Sequence, residues 1–538
     1  MLSFTATLIE TPMLSRKRFA CALLFFSSIT AASVPLLAAA HRSAISATAC
    51  AACSADDTTA PPTAIVSSGK TIVVEGHRDA KEASVSTRAM KYLAFDVPEG
   101  VTRITIHREY DHGPDPTKKN TVDFGLFDNR GTKNGFRGWQ GGSPGDFVIT
   151  GDAVTCSPHA LPGPLPKGRW FIAQYYLVGA PAGLGYKYTI TFSTEGPKPP
   201  RTFPSPPAYA PGMVKTGPGW YAGNLHAHSL HSDGGRTFSD LIGYCADAGF
   251  DFVASTEHNA TTAHFRFPEA ARAHPGVLLL YGDEFTSPGG HANIIGQKPG
   301  HWFDFRIDPG DGKLPEVIRQ AHRQGALFTV NHPFAPCTSC PWTYPAGEWS
   351  QADAIEVWNG SWTRDDRLAT NLWDSQLKAG RRLRAFGGTD YHKNDNALIP
   401  AACVYAKSLS TPAIMEGLRR GHVVLSESPK GPKVFLTPAA TAGKAATVLP
   451  GDTVRLPKAG EPLRLSARVT GGSGLFLRVV WAAGEVAFPV TSDDAALPVV
   501  IPTSGKSPVY VRAELLRGGS NPETATVASL TNPLYLSR

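Results

Sequence analysis

Three rhythms of apolar and polar residues follow one another along this chain. From 68 to 195, short alternating runs are separated by turn residues. The runs are TIVV (71–74), YLAFDV (92–97), RITIHRE (103–109), VDFGLFD (122–128), WFIAQYYL (170–177) and YKYTITF (186–192), with DNRG (128–131) as a turn. Successive side chains of a strand face opposite ways, so this pattern predicts a β-sandwich. Segment 196–218 carries eight prolines and reads as a stiff linker. From 219 to 425 the pattern changes. Apolar β-runs at 223–227, 251–255, 277–282, 291–295, 326–331, 354–358 and 384–389 alternate with helical stretches, as in an α/β barrel. Helices are expected at TFSDLIGYCADAG (237–249), LPEVIRQAHRQG (314–325) and TPAIMEGLRRG (411–421). The last has Thr411 as cap, Pro412 at its first position and Gly421 after its end. From 426 to 538 β-runs return at RLSARV (464–469), LFLRVVWA (475–482) and VYVRAELL (509–516), which predicts a second small β-sandwich.

Composition adds bounds. A chain of 538 residues needs several domains. The 53 glycines and 45 prolines suit many turns, in line with the β-rich reading. A net charge of +7 without a run of five basic residues gives no support to a nucleic-acid or membrane-surface role. The N-terminus, with SRKRF (15–19) before ACALLFFSSITAASVPLLAAA (20–40), reads as a signal peptide over 1–40. A flexible Ala/Ser/Thr-rich leader follows over 41–67. The expected location is periplasmic or secreted, with no membrane association beyond export. Cys21 leaves with the signal, and seven cysteines remain. Of these, Cys50 and Cys53 fall in the leader, and Cys245 and Cys403 lie in apolar contexts that predict burial. CTSC (337–340) has a spacing that suits zinc, a redox pair or a tight disulfide; with no second cysteine pair nearby and an exported chain, a disulfide shaping a loop is expected.

Candidate chemistry collects after the β-runs of the middle region. GNLHAHSLHSDGG (223–235) holds His226, His228, His231 and Asp233. TEHN brings His258, GDE brings Glu284, GGHANIIG brings His291, NHPF brings His332, and GGTDYH brings Asp390 and His392. In α/β barrels the C-terminal strand ends share one mouth, so these residues are expected to meet. A catalytic zinc needs about three protein ligands. The nine of these residues other than His231 therefore imply two or three ions, with Glu284 as the natural bridge. Imidazole and carboxylate suit zinc, manganese and iron alike.

HAHSLHSDG, TEHN, GDE, GGHAN, NHP and GTDYH together resemble, in order, the motifs of the PHP (polymerase and histidinol phosphatase) metallohydrolases. The resemblance covers roughly 220–425 and implies a distorted (β/α)7 barrel, here flanked by two β-sandwich domains (68–195 and 426–538). It also implies a ligand distribution. His226, His228, Glu284 and Asp390 would hold one ion, Glu284, His291 and His332 a second, and Asp233, His258 and His392 a third. His231 falls outside the pattern, and Glu257 stands where the family more often has Asp. The flanking phrases FDVPEGVTRITI, GPLPKGRW and LTNPLYL resemble the exported branch that includes carbaryl hydrolases.

The expected activity is hydrolysis of an ester-type bond in a small molecule, with a metal-bound hydroxide as attacking group. His258, Glu284 and His392 are the residues expected to act in catalysis. The neutral neighbours Asn224, Asn259, Asn293, Asn331, Trp358, Asn359 and Tyr391 favour a neutral ester or carbamate over a phosphoester. The same asparagines would equally serve as strand-end caps, and Arg236, Arg266, Arg364 and Lys393 lie near enough in sequence to aim a charge inward. Three rivals remain. They are a phosphoesterase, an amidohydrolase (which also starts on His-x-His) and a non-enzymatic binding protein on a PHP scaffold.

Overall fold

One sheet of the first β-module is buried on both faces, and this places it against the middle of the molecule. The computed structural model describes residues 64–68, 70–115, 117–393, 398–439, 448–458, 460–503 and 509–537. The signal peptide, the leader up to 63, Cys50 and Cys53 lie outside the described residues. All six alternating runs of 68–195 fall in strands. One sheet has five antiparallel strands, Ala64–Ser68, Thr71–Arg78, Leu184–Ser193, Arg103–Tyr110 and Phe147–Thr150 in spatial order. The other has four, Met90–Val97, Gly168–Val178, Thr121–Phe127 and Phe136–Gly141. Val122, Phe124, Leu126, Trp170 and Ile172 of the second sheet fill the core between the two. By alternation, Phe127, Trp139, Tyr175 and Leu177 leave from its opposite face and join the core of the central module. There Phe136 stacks on Trp302 at 4.2 Å between ring centroids, and Trp139 meets Phe305 edge-on at 4.7 Å. Burying each such ring contributes about 1.5–3 kcal/mol, so this docking is firm.

The Pro-rich segment 196–218 lies along both modules. Phe203 stacks under the guanidinium of Arg130, and the Tyr209 hydroxyl accepts from the Leu279 amide at 2.9 Å.

In the central module the strands, in chain order, are β1 (Gly219–Asn224), β2 (Phe252–Ala254), β3 (Leu278–Leu280), β4 (Gly282–Ser287), β5 (Gly290–Ile295), β6 (Leu327–Val330), β7 (Ala354–Asn359), β8 (Arg384–Gly388), β9 (Ala401–Ala406) and β10 (Val423–Ser426). The hydrogen-bonded ladder does not run round a closed (β/α)7 barrel. It forms two sheets, one ordered β3-β2-β1-β9-β10 and continuing outward, the other β4-β5-β6-β7-β8. Isolated parallel bridges touch across the seams, Ala227 with Tyr391 and His258 with Glu284. The departure from the expected barrel has a local cause. SPGG turns β4 straight back into β5 as an antiparallel hairpin, and β9 runs antiparallel to β1, so simple β-α alternation is interrupted twice.

The helices are α1 (Phe238–Asp247), α2 (Phe267–Ala273), α3 (Leu314–Arg323), α4 (Arg364–Lys378) and α5 (Thr411–Arg420). The α5 cap is Ser410 rather than Thr411, and Gly421 closes the helix in a left-handed conformation with φ 72°. Sheet β3-β2-β1-β9-β10 continues through Thr526–Thr531, which pairs with β10, into Tyr510–Arg517, Phe476–Trp481 and Gly484–Pro489. A three-stranded sheet of Lys433–Pro438, Leu463–Thr470 and Asp494–Ile501 shares a core with it, through Val434, Leu465, Val469, Leu477 and Val499. Among the described residues no helix is long and apolar enough to cross a membrane.

Candidate metal centre

Each candidate ligand sits at or just beyond a strand end. The chain leaves β1 through His226 and His228, still extended, and pairs with the chain leaving β8. The Asp390 amide donates to His226 O at 2.8 Å and the His228 amide to Tyr391 O at 2.9 Å. This approach requires glycine at 388, where a Cβ would lie 2.2 Å from that of His226. A tight turn then presents Asp233. Its Gly234 amide donates back to Ser229 O at 2.9 Å, and a Cβ at 234 would lie 2.2 Å from His228 O. His258 follows β2, Glu284 lies in β4, His291 in β5 and His332 just beyond β6. Among the described residues, three that are not glycine have positive φ, Asn259 (50°), His332 (22°) and Asp390 (46°), all at this centre. Such strain persists only where its surroundings enforce it.

All nine candidate ligands converge. Glu284 Oε1 lies 3.2 Å from His226 Nε2, 3.4 Å from His291 Nδ1 and 3.3 Å from His332 Nε2. Its Oε2 lies 2.8 Å from His258 Nδ1 and 3.5 Å from His228 Nε2. Asp390 Oδ1 is 3.2 Å from His226 Nε2 and 3.0 Å from His228 Nε2. On the more open side, Asp233 Oδ1 faces His392 Nε2 at 3.3 Å, His258 Nε2 at 3.7 Å and His228 Nδ1 at 3.9 Å. Five donor groups among the described residues could each hold an ion: His226, His228 and Glu284; His258, Glu284 and His291; His226, His332 and Glu356; His291, His332 and Cys340; and His228, Asp233, His258 and His392. The last differs from the expected third set by adding His228, the first lacks the expected Asp390, and the second has His258 in place of His332. His231 stands aside, with Nδ1 against Pro158 O at 2.8 Å and Thr262 Oγ1 at 3.0 Å.

Further residues orient these ligands. Glu356 Oε1 accepts from His226 Nδ1 at 3.0 Å, which leaves Nε2 free to bind, and its Oε2 accepts from the His332 amide at 3.1 Å. Glu257 is a buried acceptor of the Ser229 amide and of Ser232 Oγ (2.6 Å), and so fixes the turn that carries Asp233. Thr286 Oγ1 lies 2.6 Å from His258 Nδ1. Sequence reasoning passed over Glu356, although a lone carboxylate inside the apolar run AIEVWN was a visible signal. The asparagines are largely engaged in the frame. Asn224 donates to Thr389 Oγ1, Asn259 to Thr286 O, Asn293 to Leu225 O and Asn359 to Glu356. Asn331 alone of the five donates to a candidate ligand, Glu284 Oε1, at 2.9 Å. The amides therefore act as strand-end ties and say little about substrate.

Burial and crowding set the charge states. Removal from water pushes the Glu284 carboxyl up, but His258, His226 and His291 outweigh it and hold the group well below its ordinary range. Asp390 is likewise held low, with burial opposed by His226 and His228. Burial, then His392 and His258, push His228 down to about 3, and burial takes His291 down to about 4. Burial works against charge on His226, His258, His332 and His392 too, but the carboxylates of Asp390, Glu356, Glu284 and Asp233 outweigh it and raise all four, His258 to about 10. A divalent ion needs ionised carboxylates and neutral imidazoles, so binding here would displace protons from those four rings. Several buried atoms here have no hydrogen-bond partner: His226 Nε2, Glu284 Oε2, both ring nitrogens of His291 and His332 Nδ1. Buried polar atoms are rarely left so. A cluster of them on imidazole and carboxylate groups fits divalent transition-metal ions.

A cavity of about 240 Å³ opens onto this centre. Asp233, His258, Thr286 and His291 form its floor. The N-terminal sandwich supplies one wall through Asp123, Trp139, Gln140 and Leu177, and residues 337–339 another. Cys337 and Cys340 are joined in that loop. Neither arginine nor lysine is among the described residues that line it. Arg236 donates to the Tyr391 hydroxyl and Arg266 to Ala153 O, while Arg364 and Lys393 are exposed.

No family model matches this chain, and no curated protein matches it. Among solved structures it is similar to a two-domain protein from Bacteroides vulgatus containing a predicted PHP-like metal-dependent phosphoesterase, at 18% identity over 61% of this chain and 100% of that one, with a TM-score of 0.34. It is also similar to a proposed metal-dependent phosphoesterase from Bifidobacterium adolescentis (16% identity, 33% and 90% of the chains, TM-score 0.27). A third is an amidohydrolase from Chromobacterium violaceum with bound sulfate and no metal (18% identity, 32% and 87%, TM-score 0.25). Two of these three similar structures are thus described as metal-dependent phosphoesterases, one of them PHP-like.

Proposed function

We propose that this chain is an exported, PHP-type metal-dependent hydrolase of ester-type bonds. The observation that carries the reading is the convergence of nine imidazole and carboxylate groups on one centre, five of the imidazoles around Glu284, with orphaned polar atoms among them. His226, His228, Glu284 and Asp390 would hold one ion, Glu284, His291 and His332 a second, and Asp233, His258 and His392 a third. Bound zinc, manganese or iron would supply acidified water and polarise a carbonyl or phosphoryl oxygen. The chain's own residues do the rest. Glu356 and Glu257 keep the ligands in register. His258 and His392, whose Nε2 atoms face Asp233 at the open side, hold or pass a proton when the third position is empty. Trp139 and Leu177 offer an apolar wall to a ring. Export to the periplasm or medium is part of the proposal and rests on the N-terminal leader.

The favoured substrate is a neutral ester or carbamate. Sites for phosphomonoesters usually add guanidinium or ammonium forks, and the cavity wall offers none among the described residues. A phosphoester is the alternative, since two or three divalent ions bring much positive charge of their own. The test compares an aryl carbamate, an aryl acetate, an aryl phosphate and a phosphodiester sharing one leaving group. A kcat/KM for the phosphate more than about tenfold above the others, roughly 1.4 kcal/mol of transition-state preference, would overturn the neutral-substrate reading.

A further inference from the structure

Asp123 is the only carboxylate that the N-terminal sandwich contributes to the cavity wall, among the described residues. Strand alternation puts it there. Val122 and Phe124 enter the sandwich core, so Asp123 between them faces the metal centre. Its neighbours on that wall are the apolar Trp139 and Leu177 and the polar Thr121, Gln140 and Ser143, of which Gln140 donates to Pro144 O and Ser143 to Ser232 O. A carboxylate in such surroundings is costly unless something bonds to it. Yet the Asp123 carboxyl makes no hydrogen bond among the described residues. Arg108, whose charge reaches it, is already committed, with Nη1 donating to Gly141 O at 2.9 Å and Nη2 to Ser143 O at 2.8 Å. Gly141 and Gly142 run beside Asp123 and keep the space before it open. A Cβ at 142 would stand 3.7 Å from its Oδ1. Burial raises its pKa to about 6, with Arg108 and His258 opposing, so it remains an anionic acceptor at neutral pH. Across the cavity lie Asp233, His258 and His291.

We infer that Asp123 is the specificity-determining acceptor of this cleft. It takes a hydrogen bond from an N–H or ammonium group on the part of the substrate remote from the scissile bond, and it repels dianionic phosphates and carboxylates. The inference rests on the hydrolase reading above and narrows its substrate to a nitrogen-bearing neutral or cationic ester.

The test uses the metal-loaded full chain and its Asp123→Asn variant, with metal per chain measured in both. Calorimetry with benzylammonium and with phenylacetate reads recognition without turnover. A charge-assisted hydrogen bond of about 1.5–3 kcal/mol predicts that the variant weakens benzylammonium binding about tenfold or more. Phenylacetate binding should tighten, and the kcat/KM of aryl phosphate relative to aryl acetate should rise, with metal content unchanged. Asp123→Glu should keep the parental preference for the ammonium probe. If Asp123→Asn leaves both dissociation constants and the phosphate-to-acetate ratio within about twofold of the parent, less than roughly 0.4 kcal/mol, the inference is wrong. Loss of metal in Asp123→Asn would overturn it too, because the residue would then be structural. Should the loaded parent hydrolyse none of the esters, the hydrolase reading falls, while the two binding probes still decide the role of Asp123.

Discussion

Five imidazoles surround the two oxygens of Glu284, and no other carboxylate among the described residues stands so near so many. A bridge of this kind serves more than one ion. Glu284→Ala is therefore expected to remove more than one metal equivalent per chain, measured by elemental analysis of the purified protein; full occupancy would show that it bridges nothing. Glu356 acts through His226 rather than on an ion. Outer partners of this type typically govern metal affinity by about 10–100-fold. Glu356→Gln should weaken metal binding by that order in a chelator competition while leaving the fold intact, and an unchanged affinity would remove its orienting role. The residues that converge here were visible in the sequence because each hangs at the end of an apolar run, where strand geometry fixes its direction. Asp123 was not visible, since it comes from another module and reads there as one polar position in an alternating strand. The asparagines misled in the other direction. Their amides close strand ends, and nothing in a bare sequence separates that task from substrate contact.

Among the elements, strands were read more easily than helices. Helix α4 was missed, and the cause is physical. Asp366, Arg367, Thr370 and Asp374 are buried on its inner side, so the apolar period that marks a helix is diluted by polar residues. The antiparallel return from β4 to β5 was hidden as well, because a short turn between two apolar runs says nothing of the sheet's closure. The CTSC spacing alone left a zinc pair, a redox pair and a disulfide open; the lack of a second cysteine pair nearby and the export reading favoured the disulfide, and Cys337 and Cys340 are joined. Alkylation under denaturing, non-reducing conditions should leave both unlabelled while the free thiols Cys156, Cys245 and Cys403 react. Labelling of the pair would disprove the bond and return Cys340, which lies near His291 and His332, to the list of possible ligands.

The whole molecule is tied together by a buried ionic network between α4 and the C-terminal strands. Arg512 bonds Asp374 through Nε at 2.8 Å and Glu514 through Nη1 at 2.6 Å. Arg367 and Arg478 reach the same Glu514 at 3.1 and 3.0 Å. Burial pushes the Glu514 carboxyl up, but the three guanidiniums outweigh it and hold it far below 4.5. A carboxylate depressed in the folded state stabilises above its unfolded pKa, and that contribution is lost as pH falls through the folded value. Stability should thus decline below about pH 4. Glu514→Gln strands three cations, and chemical denaturation should show a loss of about 3–5 kcal/mol with a flatter acid limb. A change under about 1 kcal/mol would mean the network is solvated after all.

The shared sheet has a consequence for how this fold can be divided. Strand β10 takes its outer hydrogen bonds from Thr526–Thr531, and the Asn532 side chain grips Ala385 at its amide and carbonyl, both at 2.8 Å, within β8, which leads to Asp390 and His392. A fragment ending near residue 426 would expose a raw strand edge, the kind of surface on which chains stack into aggregates. It would also loosen the segment on which two of the ligands are mounted. The central module is therefore not a portable cassette. Any recombination that moved it into another protein would have to carry the C-terminal sandwich along as its splint.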